Sequence, residues 1–233
     1  MTWIFLGLAA LFVAGFLIST LRKQRPPESR KQTQSVIETS LGVSELANAH
    51  DGGVTFFNVY PPDSPADKAG LLGGDILTAC DGHAIRNIDD LVNLLGQPPA
   101  GRKIELTYVR DGETREASLT TISPDQFELL AESFENRSTG YGSLGFQDTV
   151  TKVVPVAGKN VSGVKMNTLS ASGPAALAGI QTGDVVIEFD GVPIRNRGEF
   201  LMRVRRAIPY STVKVVVVRG PQQLEIPVKM GKR

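Results

Sequence analysis

The sequence predicts an α+β, mainly β fold: two similar small domains behind one membrane-spanning helix. Three observations carry that prediction. The chain of 233 residues nearly says one phrase twice: "SPADKAGLLGGDILTACDGHAIRN" at 64–87 returns as "GPAALAGIQTGDVVIEFDGVPIRN" at 173–196, with no gap at an offset of 109. Pro65, Ala66, Ala69, Gly70, Gly74, Asp75, Asp81, Gly82, Ile85, Arg86 and Asn87 each meet their own residue type in the second copy. Each copy is also filled with short apolar runs punctuated by Gly-containing turns, the mark of strands. Finally, "WIFLGLAALFVAGFLISTL" at 3–21 is uncharged over 19 positions, about enough at ~1.5 Å per residue to cross a hydrocarbon core of roughly 30 Å.

Taken in order, residues 1–21 read as an uncleaved transmembrane anchor contacting the lipid bilayer through 3–21. Nothing basic precedes the apolar run, as a cleaved signal would require, whereas Arg22, Lys23, Arg25, Arg30 and Lys31 follow it. Basic residues after a span tend to stay on the cytoplasmic side, next to anionic lipid, which places the rest in the cytoplasm, with the periplasm as the alternative. Residues 22–35, polar and broken by Pro26-Pro27, read as a flexible tether.

Copy one (36–122) and copy two (141–233) then run through the same signals. A Leu-Gly turn comes first, at Leu41-Gly42 and Leu144-Gly145, followed by strand candidates such as "VTFFNVY" (54–60) and "VKMNTL" (164–169). A short helix starts at Ser64-Pro65 or Gly173-Pro174, capped by the first residue, and stops at Gly70 or Gly179. Strands "DILTACDG" and "DVVIEFDG" turn at Asp-Gly. A longer helix follows, with apolar stripes Ile88, Leu91, Val92, Leu95 and Phe200, Leu201, Val204, Ile208. A closing hairpin completes a five- or six-stranded, partly closed sheet with two helices. The connector 123–140 contains "SPDQFELLAESFENR", whose Ser123, Pro124 and Gln126 form a capping box ahead of a Phe127, Leu130, Ala131, Phe134 stripe.

The net charge of +1 hides a division. Residues 36–122 carry 6 Lys+Arg against 13 Asp+Glu, and residues 143–233 carry 13 against 6. Solubility, different ligands, or docking of one copy on the other would each explain it. The single Cys80 excludes an intramolecular disulfide and lies in an apolar run, where it reads as a small buried hydrophobe. Neither a metal, a cofactor nor a nucleic-acid partner is expected.

The Leu-Gly turn, the "SPAxxAGLxxGD" stretch and the "DGxxI" hairpin, in that order and twice over, resemble tandem PDZ domains of the bacterial HtrA/Deg type without their protease domain. The resemblance covers nearly all of both copies and implies binding of carboxyl-terminal or extended peptide segments of other proteins. Main-chain amides at Leu41, Gly42, Val43 and at Leu144, Gly145, Phe146 would grip the terminal carboxylate. The peptide would add as a strand beside 43–47 or 146–150, including Gln147 and Asp148. Its last side chain would enter a pocket of Leu91 and Leu95 in copy one, or of Phe200, Leu201 and Val204 in copy two. Copy one departs from the pattern: valine replaces phenylalanine after the glycine, and "SELANAHDGG" is six residues shorter than its counterpart. Ligand capture, a spacer role and a self-docking surface all remain open there. Arginines 195, 197, 203, 205 and 206 around the second long helix would favour acidic residues upstream of the partner's terminus.

Enzymatic activity is not expected. His50 and His83 are the only histidines, both in turn-like sequence, and neither a G-x-S-x-G elbow nor an H-E-x-x-H pair occurs. Asp75 and Asp184 read as pins for turns. The function expected is a membrane-anchored scaffold or adaptor. The alternative is a substrate-recognition or regulatory subunit of a separate membrane-associated protease or secretion complex.

Overall fold

The computed structural model describes residues 27–233. The candidate anchor at 3–21 lies outside them, as do residues 22–26 of the expected tether. Among the described residues no helix is long and apolar enough to cross a membrane.

The chain opens with helix α1 (Pro27–Leu41), so residues 27–35 are helical rather than a loose tether. The helix is polar almost all round. What orders it is one narrow stripe, Thr33, Ile37 and Leu41, each at most 3% exposed and spaced four apart. Tertiary burial of such a stripe can hold a helix whose own composition would not.

Copy one continues through β1 (Val43–Ser44), β2 (Ala47–Asn48), β3 (Val54–Thr55), β4 (Asn58–Val59), α2 (Pro65–Lys68), β5 (Ile76–Cys80), β6 (His83–Ala84), α3 (Ile88–Leu95), β7 (Lys103–Arg110) and β8 (Glu113–Thr120). Its sheet has six antiparallel strands in the order β2-β3-β5-β7-β8, with β6 on β5; β1 and β4 pair separately. Helix α4 (Pro124–Glu135) follows with the expected capping box. Copy two runs β9 (Gly142–Ser143), β10 (Phe146–Val156), β11 (Lys159–Leu169), α5 (Pro174–Leu177), β12 (Val185–Phe189), β13 (Val192–Pro193), α6 (Arg197–Arg206), β14 (Thr212–Arg219), β15 (Gln222–Lys229) and β16 (Gly231–Lys232). Its six-stranded sheet has the order β10-β11-β12-β14-β15 with β13 on β12, while β16 pairs β9.

The Asp-Gly turns at Asp81-Gly82, Asp111-Gly112 and Asp190-Gly191 hold both residues at positive φ, as a tight hairpin requires. Asn87 and Asn196 cap α3 and α6 by accepting from the amides of Asp90 and Glu199. Ser64 and Gly173 make no side-chain cap. Ser64 Oγ lies instead 3.4 Å from Gly42 O, against the Leu-Gly turn. Asp75 and Asp184 pin their turns as expected. Each accepts from a main-chain amide three residues back, Leu72 or Gln181, at 2.8 Å. Each is also clamped by an arginine from the closing hairpin, Arg110 or Arg219, that reaches on to Gly70 O or Gly179 O. The repeated signature is therefore a repeated polar joint.

Each copy has its own core, around Phe56, Leu77, Leu91 and Leu106 in one and Val164, Met166, Phe200 and Val217 in the other. Copy two adds a small second cluster, where Val154, Val156 and Val161 of its long hairpin pack on Val185, Ile187, Val216 and Val218. Cys80 is buried in copy one, and burial pushes its thiol up to about 11.

Candidate functional site

In copy two the turn after β9 points two carbonyls inward. Leu144 O accepts from the Ala175 amide at 2.9 Å, and Gly145 O from the Ser170 amide at 2.8 Å. A trans peptide unit directs its N–H opposite its C=O. The amides of Gly145 and Phe146 therefore face the other way, into a cavity of about 740 Å³. Two such neighbouring amides make a concave anion site. Gly145 holds φ at +73°, and a Cβ there would lie 2.6 Å from Gly173 Cα. The turn needs glycine both for its conformation and for its room.

One wall of the cavity is β10, through Phe146 and Gln147; the other is α6, through Leu201, Met202 and Val204. Strand β10 is the edge of its sheet, and its register with β11 shifts on either side of Asp148, a bulge that re-aims side chains. Arg197 and Arg205 contribute positive charge to the same walls. At the far end the groove closes. The Arg197 amide donates to Thr151 Oγ1 at 3.1 Å and its guanidinium Nε to Thr149 Oγ1 at 3.2 Å, tying the start of α6 directly to β10. The edge left open runs over Phe146–Asp148, about 10 Å at ~3.3 Å per residue.

Copy one has the same scaffold in a different state. Its helix α3 is tied to the edge by the same clamp, the Ile88 amide donating to Asn48 Oδ1 at 2.8 Å. Helix α1, however, lies in the groove. Ile37 is fully buried in the core with Leu91 and Leu95. Glu38 Oε1 accepts from the Leu46 amide at 2.9 Å, and Gln34 Nε2 donates to Leu46 O at 3.2 Å. Both main-chain groups with which Leu46 could pair an added strand are thus occupied by the chain's own side chains. At the turn, the Gly42 amide donates to Glu38 O at 2.8 Å as the last bond of the helix.

The two copies meet along α6 and the residues just before it. Arg195 forks onto Asp111 at 2.6 and 3.2 Å, and Arg206 onto Asp67 at 2.7 and 2.8 Å. Arg205 takes both oxygens of Glu135 at 2.8 Å. That carboxylate also accepts from Tyr60 and Tyr141, joining copy one, the connector and copy two. The Tyr141 hydrogen bond, against an opposing effect of burial and with help from Arg205, holds the Glu135 carboxyl below its ordinary range. Burial and the bond to Glu135 push the Tyr60 phenol up to about 12. At Asp67 burial opposes ionisation, but Arg206 and the Asp63 amide outweigh it and lower the carboxyl. Phe57 of copy one lies against the first turn of α6, where a Cβ on Gly198 would stand 2.5 Å from its ring.

Leu144, Gly145, Phe146, Gln147, Leu201 and Val204 line one groove. Phe200 lies behind the groove wall rather than lining it: fully buried, it stacks on Phe146 at 5.4 Å and meets Phe189 edge-on. Asp148 is exposed and accepts from Asn167. Leu41, the last residue of α1, is buried in the core of copy one with Val43, Leu91 and Leu95, and the Gly42 amide makes that helix's last bond. Ile208, expected on the stripe of α6, is 70% exposed because the helix stops at Arg206. The arginines do not all face the groove: Arg195 and Arg206 bind acids of copy one, Arg203 binds Glu199, and Arg205, on the groove wall, is paired with Glu135 of the connector. Met202, Phe57 and Asn58 line the groove although the sequence reading did not place them there. For Met202 the signal was available in its position beside Leu201.

The chain is 29% identical over 183 residues to a probable periplasmic serine protease do/HhoA-like of Haemophilus influenzae, covering 78% of this chain and 37% of that protein. To a probable periplasmic serine endoprotease DegP-like of Marinomonas it is 31% identical over 174 residues, 72% of this chain and 35% of the relative. To the periplasmic serine endoprotease DegP of Escherichia coli it is 29% identical over 180 residues, 76% and 35%. The chain thus spans little more than a third of the length of these relatives. Among solved structures, an HtrA3 PDZ domain bound to a phage-derived ligand (FGRWV) is 25% identical, with a TM-score of 0.32 over 39% of this chain and 88% of that one. The HtrA-type protease AlgW with decapeptide is 16% identical, with a TM-score of 0.38 over 82% and 54%. The PDZ domain family matches residues 39–121 and again 142–230, so the chain belongs to that family and carries two PDZ domains in tandem.

Proposed function

We propose that this chain is a membrane-tethered adaptor whose second PDZ domain captures the free carboxyl terminus of another protein by strand addition. It acts by binding rather than by catalysis. The observation that carries the proposal is the pair of inward carbonyls at Leu144 and Gly145, which turns the next two amides toward the groove. A terminal carboxylate set there would accept from both amides, with the last residues paired on the open edge of β10 and the last side chain against Leu201, Met202 and Val204. The first PDZ domain serves as a platform: its groove is filled by α1 and its acidic face is docked on α6. Residues 3–21 supply the anchor. The relatives' names place them in the periplasm, which favours that compartment over the cytoplasm that the flanking charges suggest.

The test is binding of fluorescent pentapeptides ending in valine, each with a free carboxylate or with the same end amidated. Micromolar binding of the free acid, about −8 kcal/mol, and its loss on amidation support capture of a terminus. Equal binding of both forms would overturn it.

The relatives' designation as serine proteases favours a second reading, in which the adaptor delivers substrates to a separate protease. Recovery of a protease with the intact membrane-extracted chain would support that reading over a static scaffold.

A further inference from the structure

The groove of the second domain is short and unevenly built. Its upstream end is shut by the Arg197 bonds to Thr149 and Thr151. A guest paired on Phe146–Asp148 therefore cannot continue along β10. Its remaining walls are not all from its own domain. Phe57, just before β4 of the first domain, and Asn58, its first residue, line the same cavity as Gly145 and Gln147. Phe57 is half-buried, held against the first turn of α6 at Gly198, the one residue there with no side chain to keep it away. Forked ion pairs at Asp67 and Asp111 fix the first domain in that position.

From this geometry we infer that the peptide site is composite. The second domain holds the carboxylate and the last residues, and Phe57 of the first domain reads the side chain third from the end. Alternation along an added strand turns the last and the third-last side chains to the same side, here toward α6, whose beginning carries Phe57. An aromatic ring at that place selects an apolar third-last residue. The partner is thus a carboxyl terminus with apolar residues at its last and third-last positions, leaving the groove past Asn58. The first domain then acts as part of its neighbour's specificity, although its own groove is filled.

This inference rests on the peptide-capture reading, and the experiment separates the two. Two labelled free-acid pentapeptides ending in valine are compared on the full chain in detergent. One carries phenylalanine third from the end and the other glycine. Expected is tighter binding of the first, reduced about tenfold by Phe57→Ala, the scale on which apolar pockets discriminate, with the glycine peptide changed less than twofold. Because Phe57→Ala can loosen the docked domains, a photo-crosslinking peptide with benzophenone at the third-last position is used on the unaltered protein. Its adduct is expected within residues 54–60. If both peptides bind equally to both proteins, or the adduct falls only within residues 142–230, the composite site is wrong while terminus capture stands. If neither peptide binds, both proposals fall together.

Discussion

At Gly42 and Gly145 the chain makes the same left-handed turn, φ +77° and +73°. What precedes each turn decides what it can bind. Before Gly42 runs a helix, whose last bond takes the glycine amide and whose Glu38 and Gln34 take the main chain of Leu46. Before Gly145 lies a two-residue strand paired to the chain's last strand, which leaves the amides beyond it turned outward. The family signature lies downstream of both turns and is the same in both copies. A PDZ sequence signature thus specifies the scaffold, and the segment before the turn specifies whether its groove is open.

The largest effect that would break this comparison is at Ile37. It is fully buried among Leu91 and Leu95, so Ile37→Asp puts an uncompensated charge into the core of the first domain, expected to cost about 4 kcal/mol or more. The chain's single thiol reports it. Cys80 is buried in the same core and its thiol is pushed up to about 11, so alkylation at pH 8 is slow in the parent protein. In Ile37→Asp it should rise to the rate of the denatured chain. A variant still protected at Cys80, with an unchanged denaturation midpoint, would show that α1 is dispensable to the first domain.

Next in size is the pair of glycines themselves. A Cβ on Gly42 would lie 2.2 Å from Ser64 Cβ, and one on Gly145 would lie 2.6 Å from Gly173 Cα. With the cost of positive φ added, each alanine substitution is expected to destabilise its own domain by about 2–3 kcal/mol. Binding separates them. Gly145→Ala should weaken the free-acid peptide more than tenfold, and Gly42→Ala should leave its affinity within twofold at a temperature where both variants are folded. Equal losses in the two would mean that both turns bind, against the filled groove of the first domain.

The parts legible in the sequence were those carried by local chemistry. The Asp-Gly turns, the capping box at Ser123 and the joints at Asp75 and Asp184 each follow from a few neighbouring residues. The filled groove did not, because α1 announces itself by only three apolar side chains, Val36, Ile37 and Leu41, in an otherwise polar stretch. Whether such a helix forms depends on a surface that the following residues build. The charge division was compatible with docking, with different ligands and with solubility alike, and it did not say which arginines would be used. Phe57 was hidden for a similar reason: in "VTFFNVY" it reads as one more strand residue. Its place against Gly198 depends on how the two domains sit.

The smallest effect concerns that seating, and pH probes it from both sides. Glu135 and Asp67 have carboxyls lowered in the folded protein, Glu135 by its Tyr141 bond and by Arg205, Asp67 by Arg206 against the opposing cost of burial. A lowered acid lends stability that is present above its ordinary value, near 4, and is lost as the pH falls through the folded value. Tyr60 behaves in the opposite sense. Its phenol is raised from 10.0 to about 12, so its contribution is complete below about 10 and is lost as the pH climbs through about 12. The domains should therefore stay docked between about pH 4 and 10 and loosen outside that window. Each partly exposed ion pair is worth only about 1 kcal/mol or less. Energy transfer between dyes placed on the β7–β8 and β14–β15 hairpins, followed across pH, should fall at both ends while each domain keeps its circular dichroism. Tyr60→Phe should shrink the upper transition to the part carried by Tyr141, whose phenol is also raised by its bond to Glu135, and leave the lower one in place. If the upper transition is unchanged in that variant, Tyr60 does not carry it, and the Tyr60–Glu135 bond is not what holds the first domain against the groove.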